Sequence, residues 1–255
     1  YLMACSGYYN YDEGYSPQFT GSEDFEGTII HPQHWPEDLD YQGKRVVVIG
    51  SGATAITLIP ALIESGAGHA TMLQRSPTYI ATLPGTDSFA VQVKRFLPAR
   101  PAYALARWKM ILQNIVQYQV ARRYPGMFKS ALRTMAERRL PREFDIDKHL
   151  TPAYEPWDQR VCVAPDGDFF KTLRSGKADI VTDTIDRFTK TGIQLSSGEH
   201  IDADIIVTAT GLNLQLFGGA TLSRNGEPIE LNDTMAYKGM MLTGMPNMAF
   251  TIGHT

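Results

Sequence analysis

Six residues, Gly50-Ser51-Gly52-Ala53-Thr54-Ala55, follow directly on the apolar, β-branched run Arg45-Val46-Val47-Val48-Ile49. Glycines at this spacing, behind a buried strand and at the opening of a helix, suit one kind of chemistry. Gly50 permits the tight turn, Gly52 lets backbone approach a pyrophosphate, and Ala55 keeps helix and sheet close. Ala53 and Thr54 lead into the helix, whose N-terminus, with its unpaired N–H groups and dipole, favours an anion. The bland alternative is tight packing alone.

The next strand ends in Gln74-Arg75-Ser76. No carboxylate stands there to accept from ribose hydroxyls, as an NAD site would require. Arg75 can meet a 2′-phosphate bidentately and Ser76 can donate to the same group, so the pair points to NADPH. Their bland readings are a surface charge and a turn residue ahead of Pro77.

Positioning these residues takes a β-α-β unit. Residues 45–49 read as a buried parallel strand, 55–64 as a helix with Pro60 bending or interrupting it, and 69–73 as a second strand. Residues 8–43 read as an irregular linker with short turns. Residues 88–148 lack strand signals and read as a helical insertion, with helices expected over 102–123 and 128–140. Strands are expected again at 179–182 and 204–209, with a hairpin over 192–201 turned at Ser197-Gly198. Residues 2–5 and 250–255 read as strands cut off from their neighbours, so the chain is expected to be an internal fragment.

With 255 residues and a 43% hydrophobic composition, the chain can bury one large core or two modest ones. A net charge of −3 argues against a dedicated nucleic-acid binder. Cys5 and Cys162 form neither a metal pattern nor a disulfide framework, which favours the cytoplasm. Charge is unevenly spread: residues 94–148 hold 13 Lys and Arg against 4 Asp and Glu, a formal +9. That segment reads as a solvated helical face, a lid that attracts cofactor phosphates, or a surface that makes peripheral contact with an anionic membrane.

Phe25-x-Gly27-x-x-x-His31-x-x-x-Trp35-Pro36 precedes the glycine loop. It resembles the signature of the flavin-dependent Baeyer–Villiger monooxygenases, with every motif residue in place. Ser6-Gly7-Tyr8-Tyr9-Asn10-Tyr11, Leu73-Gln74-Arg75-Ser76-Pro77-Thr78-Tyr79 and Ala209-Thr210-Gly211-Leu212-Asn213 extend the likeness to the mycobacterial ethionamide-activating branch, over essentially the whole chain. The resemblance implies an α/β fold: a Rossmann-like NADP-binding domain with a helical insertion, flanked by partial FAD-domain segments. On that reading residues 1–24 are FAD-domain fragment and the start of a linker, and 25–43 are the signature linker. Residues 44–217 form the NADP-binding domain with its insertion at about 88–150, and 218–255 return to the FAD domain.

The implied cofactors are FAD and NADPH. The implied reaction inserts one atom of O2 beside the carbonyl of a hydrophobic ketone through a C4a-peroxyflavin. The alternative within the class is N- or S-oxygenation, including that of a thioamide. Arg160, in Pro156-Trp157-Asp158-Gln159-Arg160, matches the family's active-site arginine, which would stabilise negative charge near flavin and nicotinamide. Gln159 stands where many relatives carry a lysine for the 2′-phosphate. His31 would support the linker and the coupling of cofactor movement to catalysis, or simply be a hydrogen-bonded structural histidine. Thr210 and Gly211 would lie near the cofactor where one domain hands over to the other. A pyridine-nucleotide disulfide reductase would need a close redox cysteine pair, and none is visible. A module retaining only nucleotide binding is the non-enzymatic reading.

Overall fold

The computed structural model describes residues 1–251. The chain divides into two compact units, residues 1–17 with 210–255 and residues 18–209. It opens in the first unit with β1 (Leu2–Ala4) and β2 (Tyr9–Gly14).

The second unit is built on a five-stranded parallel sheet. Its elements in chain order begin with β3 (Thr28–Ile30), β4 (Arg45–Ile49), α1 (Ala53–Glu64) and β5 (His69–Gln74). Next come β6 (Tyr79–Leu83) and the helical insertion: α2 (Ser88–Phe96), α3 (Ala99–Arg123), α4 (Pro125–Glu137) and α5 (Ile146–Leu150). After it follow β7 (Val161–Pro165), α6 (Asp168–Arg174) and β8 (Ala178–Thr182). The unit closes with β9 (Ile185–Thr189), β10 (Gly192–Leu195), β11 (His200–Asp202) and β12 (Ile205–Thr208). The main sheet runs β3-β12-β4-β5-β8, the nucleotide-binding order with β3 as one edge.

The continuous apolar runs expected of strands covered on both faces are seen here. Val46, Val48, Ala70, Met72, Ile205 and Val207 point to a core shared with α1 and α6. Val47, Ile49, Leu73 and Ile206 point the other way, onto Phe188, Ile193 and Leu195 of the β9-β10-β11 sheet. Side chains alternate with a period of two, so one strand feeds two cores. Register at the lower end of the sheet is fixed by Arg45. Its guanidinium donates to Asp202 (2.8 Å) and Asp204 (2.9 Å), and its backbone N–H donates to Asp204 (2.8 Å). The Arg45 guanidinium holds the Asp204 carboxyl below the usual carboxylate range.

Three details differ from expectation. The segment read as an irregular linker supplies β3, which pairs in parallel with β12. Three residues are too short to stand out as an apolar run, so only the neighbouring strand makes Thr28–Ile30 a strand. Helix α4 spans Pro125–Glu137 against the expected 128–140, with Pro125 opening its first turn, while α1 continues through buried Pro60 and, since proline has no N–H, lacks one helical hydrogen bond as expected. Helix α3 begins three residues before the expected start, because Pro101 sits in its first turn, where a missing N–H costs nothing.

The chain then returns to the first unit through β13 (Leu212–Leu214), antiparallel to β2, and through the strand Met248–Phe250, parallel to β1. Its small core gathers Phe217, Leu242, Met248 and Phe250. By compactness the units divide the sequence at 17/18 and 209/210, and β3 ties residues 28–30 to the main sheet of the second unit. Of the terminal strand expected over 250–255, residues 252–255 lie outside the described residues.

Candidate functional site

The chain order of the sheet reverses at β4: β5 and β8 lie on one side, β12 and β3 on the other. In open α/β sheets ligands bind beyond the carboxyl ends of the strands at such a switch point. The glycine loop lies there. Gly50 has φ +138° and donates its N–H to the Leu73 carbonyl at 2.8 Å. A Cβ at Gly50 would lie 2.4 Å from the Ala209 carbonyl oxygen at the end of β12. The loop is therefore clamped between both neighbouring strands, and only glycine fits.

Gly52 is the N-cap of α1 and brings no side-chain cap, so the first N–H groups of a 12-residue helix stay open to an anion. Ala53 and Thr54 are exposed in that first turn, and Ala55 is completely buried beneath it. The small exposed residues leave room for a phosphate, and the buried one sets helix against sheet. These residues fit the pyrophosphate of a dinucleotide.

Arg160 comes to the same loop. Its Nη2 lies 3.4 Å from the Ser51 hydroxyl, and its Nη1 would be 3.4 Å from a Cβ at Gly52. It immediately precedes β7, which pairs in parallel with β6 so that Val161 faces Tyr79. Tyr154 fixes this junction. Its hydroxyl donates to the Arg160 carbonyl (3.2 Å) and accepts from the Thr78 hydroxyl (2.9 Å), while Tyr79 donates to the Tyr154 carbonyl (2.8 Å). A permanently charged guanidinium thus stands at the helix N-terminus, with its backbone held and its head exposed. Gln159, next to it, is also exposed.

Arg75 and Ser76 follow β5 at the same edge of the sheet, exposed, and Arg75 forms no ion pair among the described residues. The residue before them is pinned. Gln74 is buried, and its amide donates to the His149 carbonyl (2.7 Å) and the Thr182 hydroxyl (2.9 Å). His149 Nδ1 also meets that hydroxyl at 2.8 Å, and burial pushes its pKa down, favouring the neutral ring. The cluster joins α5 of the insertion to the ends of β5 and β8.

His31 acts locally. Its Nδ1 accepts from the Gln33 N–H at 3.2 Å and caps a short 3-10 turn at Pro32–His34. That bond leaves the ring proton on Nε2. Thr210 and Gly211 fall in the other unit. Thr210 donates to the Tyr15 carbonyl (2.5 Å), the Tyr15 N–H donates to the Gly211 carbonyl (3.1 Å), and Gly211 has φ +116°. They hold β13 to the segment after β2. Ser51 and Gln74 are the site residues that motif reading passed over. Ser51 occupies the variable place of the glycine pattern, and Gln74 shows only as an amide closing an apolar strand.

Both cysteines are free, Cys5 exposed and Cys162 buried, with burial pushing the Cys162 thiol up. Among the described residues no three His, Cys, Asp or Glu side chains cluster to hold a metal, and no helix is long and apolar enough to cross a membrane.

Comparison with known proteins agrees with this architecture. The chain is 62% identical over 255 residues to the FAD-containing monooxygenase EthA of Mycolicibacterium smegmatis (strain ATCC 700084 / mc(2)155), covering all of this chain and 52% of that protein. It is 51% identical over 254 residues to the probable FAD-binding monooxygenase AlmA of an Acinetobacter species, with 100% and 51% covered. The crystal structure of cyclohexanone monooxygenase from Rhodococcus sp. Phi1 bound to NADP+ superposes with a TM-score of 0.67 at 20% identity. That match covers 98% of this chain and 54% of the other, and it shows the two-dinucleotide-domain flavoprotein fold. The chain spans about half the length of the curated relatives it matches. The flavin-binding monooxygenase-like family model matches residues 1–241, and the chain belongs to that family.

Proposed function

We propose that the full-length protein is a cytoplasmic FAD- and NADPH-dependent monooxygenase, and that residues 18–209 are its NADPH-binding unit. The observation that carries this reading is the loop Gly50–Gly52. It is clamped at the switch point of the sheet, opens an uncapped helix, and has Arg160 against it. When bound, FAD would supply the redox chemistry that activates O2. This chain's residues bind NADPH: the α1 N-terminus takes the pyrophosphate, Arg75 and Ser76 take the 2′-phosphate, and Gln159, next in sequence to Arg160, is a further cofactor contact. Arg160 holds a fixed positive charge where anionic character develops. His31 holds the turn of the signature segment, and Thr210 and Gly211 hold the start of β13.

For the reaction itself we favour oxygen transfer to a soft heteroatom of an apolar substrate, such as the sulfur of a thioamide. The support is the resemblance to the ethionamide-activating branch, carried by Ser6–Tyr11, Leu73–Tyr79 and Ala209–Asn213, while the solved ketone monooxygenase is similar at a level that establishes fold alone. Insertion beside the carbonyl of a hydrophobic ketone is the second reading, supported by the signature from Phe25 to Pro36.

The test uses the complete reading frame, NADPH and labelled O2, with a thioamide and a long-chain ketone offered together. Labelled S-oxide in excess of ester is the expected result. Ester alone would transfer the enzyme to the ketone branch, and neither product, with FAD bound and NADPH consumed, would refute both substrate classes.

Cofactor preference is checked separately. Replacing Arg75 with Ala removes charge-assisted hydrogen bonds that contribute about 1.5–3 kcal/mol. KM for NADPH should rise about ten- to hundred-fold, while KM for NADH stays nearly unchanged. An equal loss with both cofactors would show that Arg75 does not read the 2′-phosphate.

A further inference from the structure

Helix α3 is 25 residues long, about 37 Å at 1.5 Å per residue, yet it buries only Ala102 and Ala121. Leu105, Trp108, Leu112 and Ile115 recur at spacings of three and four, with Val116 beside them, and all five are exposed. Trp108 keeps 61% of its surface in solvent. Such spacing lays them along one face of the helix. Phe96, at the end of α2, is 78% exposed and extends the apolar surface. The two helices are pinned to each other by Lys109, which meets Asp87 at 2.8 Å and lies 5.5 Å from the centre of the Phe89 ring.

Within residues 88–136 the charge has one sign, and Asp87, Asp158, Glu155 and Asp147 reach in from outside to pair with Lys109, Arg122, Lys129 and Arg133. Residues 88–136 contain nine Lys and Arg and no Asp or Glu. Lys94, Arg95, Arg100, Arg107 and Arg123 form no ion pair among the described residues. A nucleic acid would use the cations and leave Trp108, Leu112 and Ile115 with nothing to bury against. A spanning helix is excluded by composition. An apolar stripe with an indole, accompanied by five cations that form no ion pair among the described residues, matches a surface that is apolar beneath and anionic above. Arginine and lysine stems reach upward from such a stripe to the headgroups.

We propose that α2 and α3 form a membrane-docking arm. It lies flat in the headgroup region of an anionic bilayer, with Leu105, Trp108, Leu112 and Ile115 inserted and the unpaired cations at lipid phosphates. The arm holds the protein at the phase where apolar substrates accumulate. The docking itself requires no particular substrate, so it stands or falls apart from the assigned reaction.

The experiment is co-sedimentation of the full-length holoenzyme with vesicles of phosphatidylcholine alone and of phosphatidylcholine mixed with phosphatidylglycerol. The wild type should sediment with the mixed vesicles, be released by salt, and stay in solution with the neutral ones. The double variant Trp108→Glu and Leu112→Glu should lose most of that binding while keeping its FAD and its NADPH oxidation. The triple variant Arg95→Gln, Arg107→Gln and Arg123→Gln, all exposed positions, provides a second route should the first misfold. It should weaken binding about fivefold for each charge removed.

Wild type remaining in solution with both vesicles overturns the proposal. So does binding that neither variant alters. Loss of FAD or a changed oligomeric state in the double variant, without vesicle binding by the wild type, assigns the stripe to the other half of the protein or to a second copy.

Discussion

Replacing Arg160 with Ala in the full-length enzyme is expected to lower product formation by about 10²–10³-fold, the usual consequence of removing one preorganised donor from a site where negative charge develops. The expectation rests on position. The guanidinium reaches the Ser51 hydroxyl and the rim of Gly52, while Tyr154 and the β6–β7 pairing hold its backbone. Alanine removes the head and leaves the scaffold. NADPH oxidation should therefore persist, with reducing equivalents diverted to hydrogen peroxide, and FAD content should not change. Lysine at this position keeps the charge but loses the planar fork, so Arg160→Lys should fall between the two. The measurement is product and peroxide from the same reaction. Product formed by Arg160→Ala at the wild-type rate would remove Arg160 from the catalytic machinery.

Gly50→Ala is expected to destabilise the second unit by about 2–5 kcal/mol, combining overpacking and backbone strain. A methyl group there would meet the Ala209 carbonyl oxygen at 2.4 Å and its carbon at 3.2 Å, on a backbone at φ +138°. Neither contact is the end of a flexible side chain, so β4 and β12 must separate or the loop must move. Thermal unfolding should show a Tm lower by about 5–15 °C, at roughly 2–4 °C per kcal/mol for a unit of this size. KM for NADPH should rise with it. The control is Gly126→Ala in α4, where a Cβ meets nothing within 4 Å. There helix propensity favours alanine by about 0.5–1 kcal/mol. Equal behaviour of the two variants would show that the clamp on Gly50 does not exist.

What was legible in the sequence follows a physical rule. Features encoded by neighbours along the chain were readable: the buried strand at 45–49, the glycine loop, the hairpin expected over 192–201 and the helical insertion. Each shows as an apolar period, a glycine spacing or a turn dipeptide. Features that depend on a distant partner were not. Thr28–Ile30 becomes a strand only because β12 lies beside it. Gln74 looks like any strand-end amide until His149 and Thr182 come to it from 75 and 108 residues away. The approach of Arg160 to Ser51 spans 109 residues, and motif position, not spacing, pointed to that arginine. For His31 the sequence left a linker-supporting and a structural reading open, and the Nδ1 bond from the Gln33 N–H is a local contact compatible with both.

The split of the first unit has a consequence for the order of synthesis. Its β1 is made at the start of this chain, yet its partner is Met248–Phe250. At about 5–20 residues per second, the first strand waits roughly 12–50 s for its neighbour. The second unit is continuous and can fold during that interval. Throughout it, the edge of β1 that Met248–Phe250 will cover stays open, the kind of segment to which chaperones bind. A ribosome-bound intermediate with a finished second unit and a β1 still waiting for that partner is the form that the cell must protect.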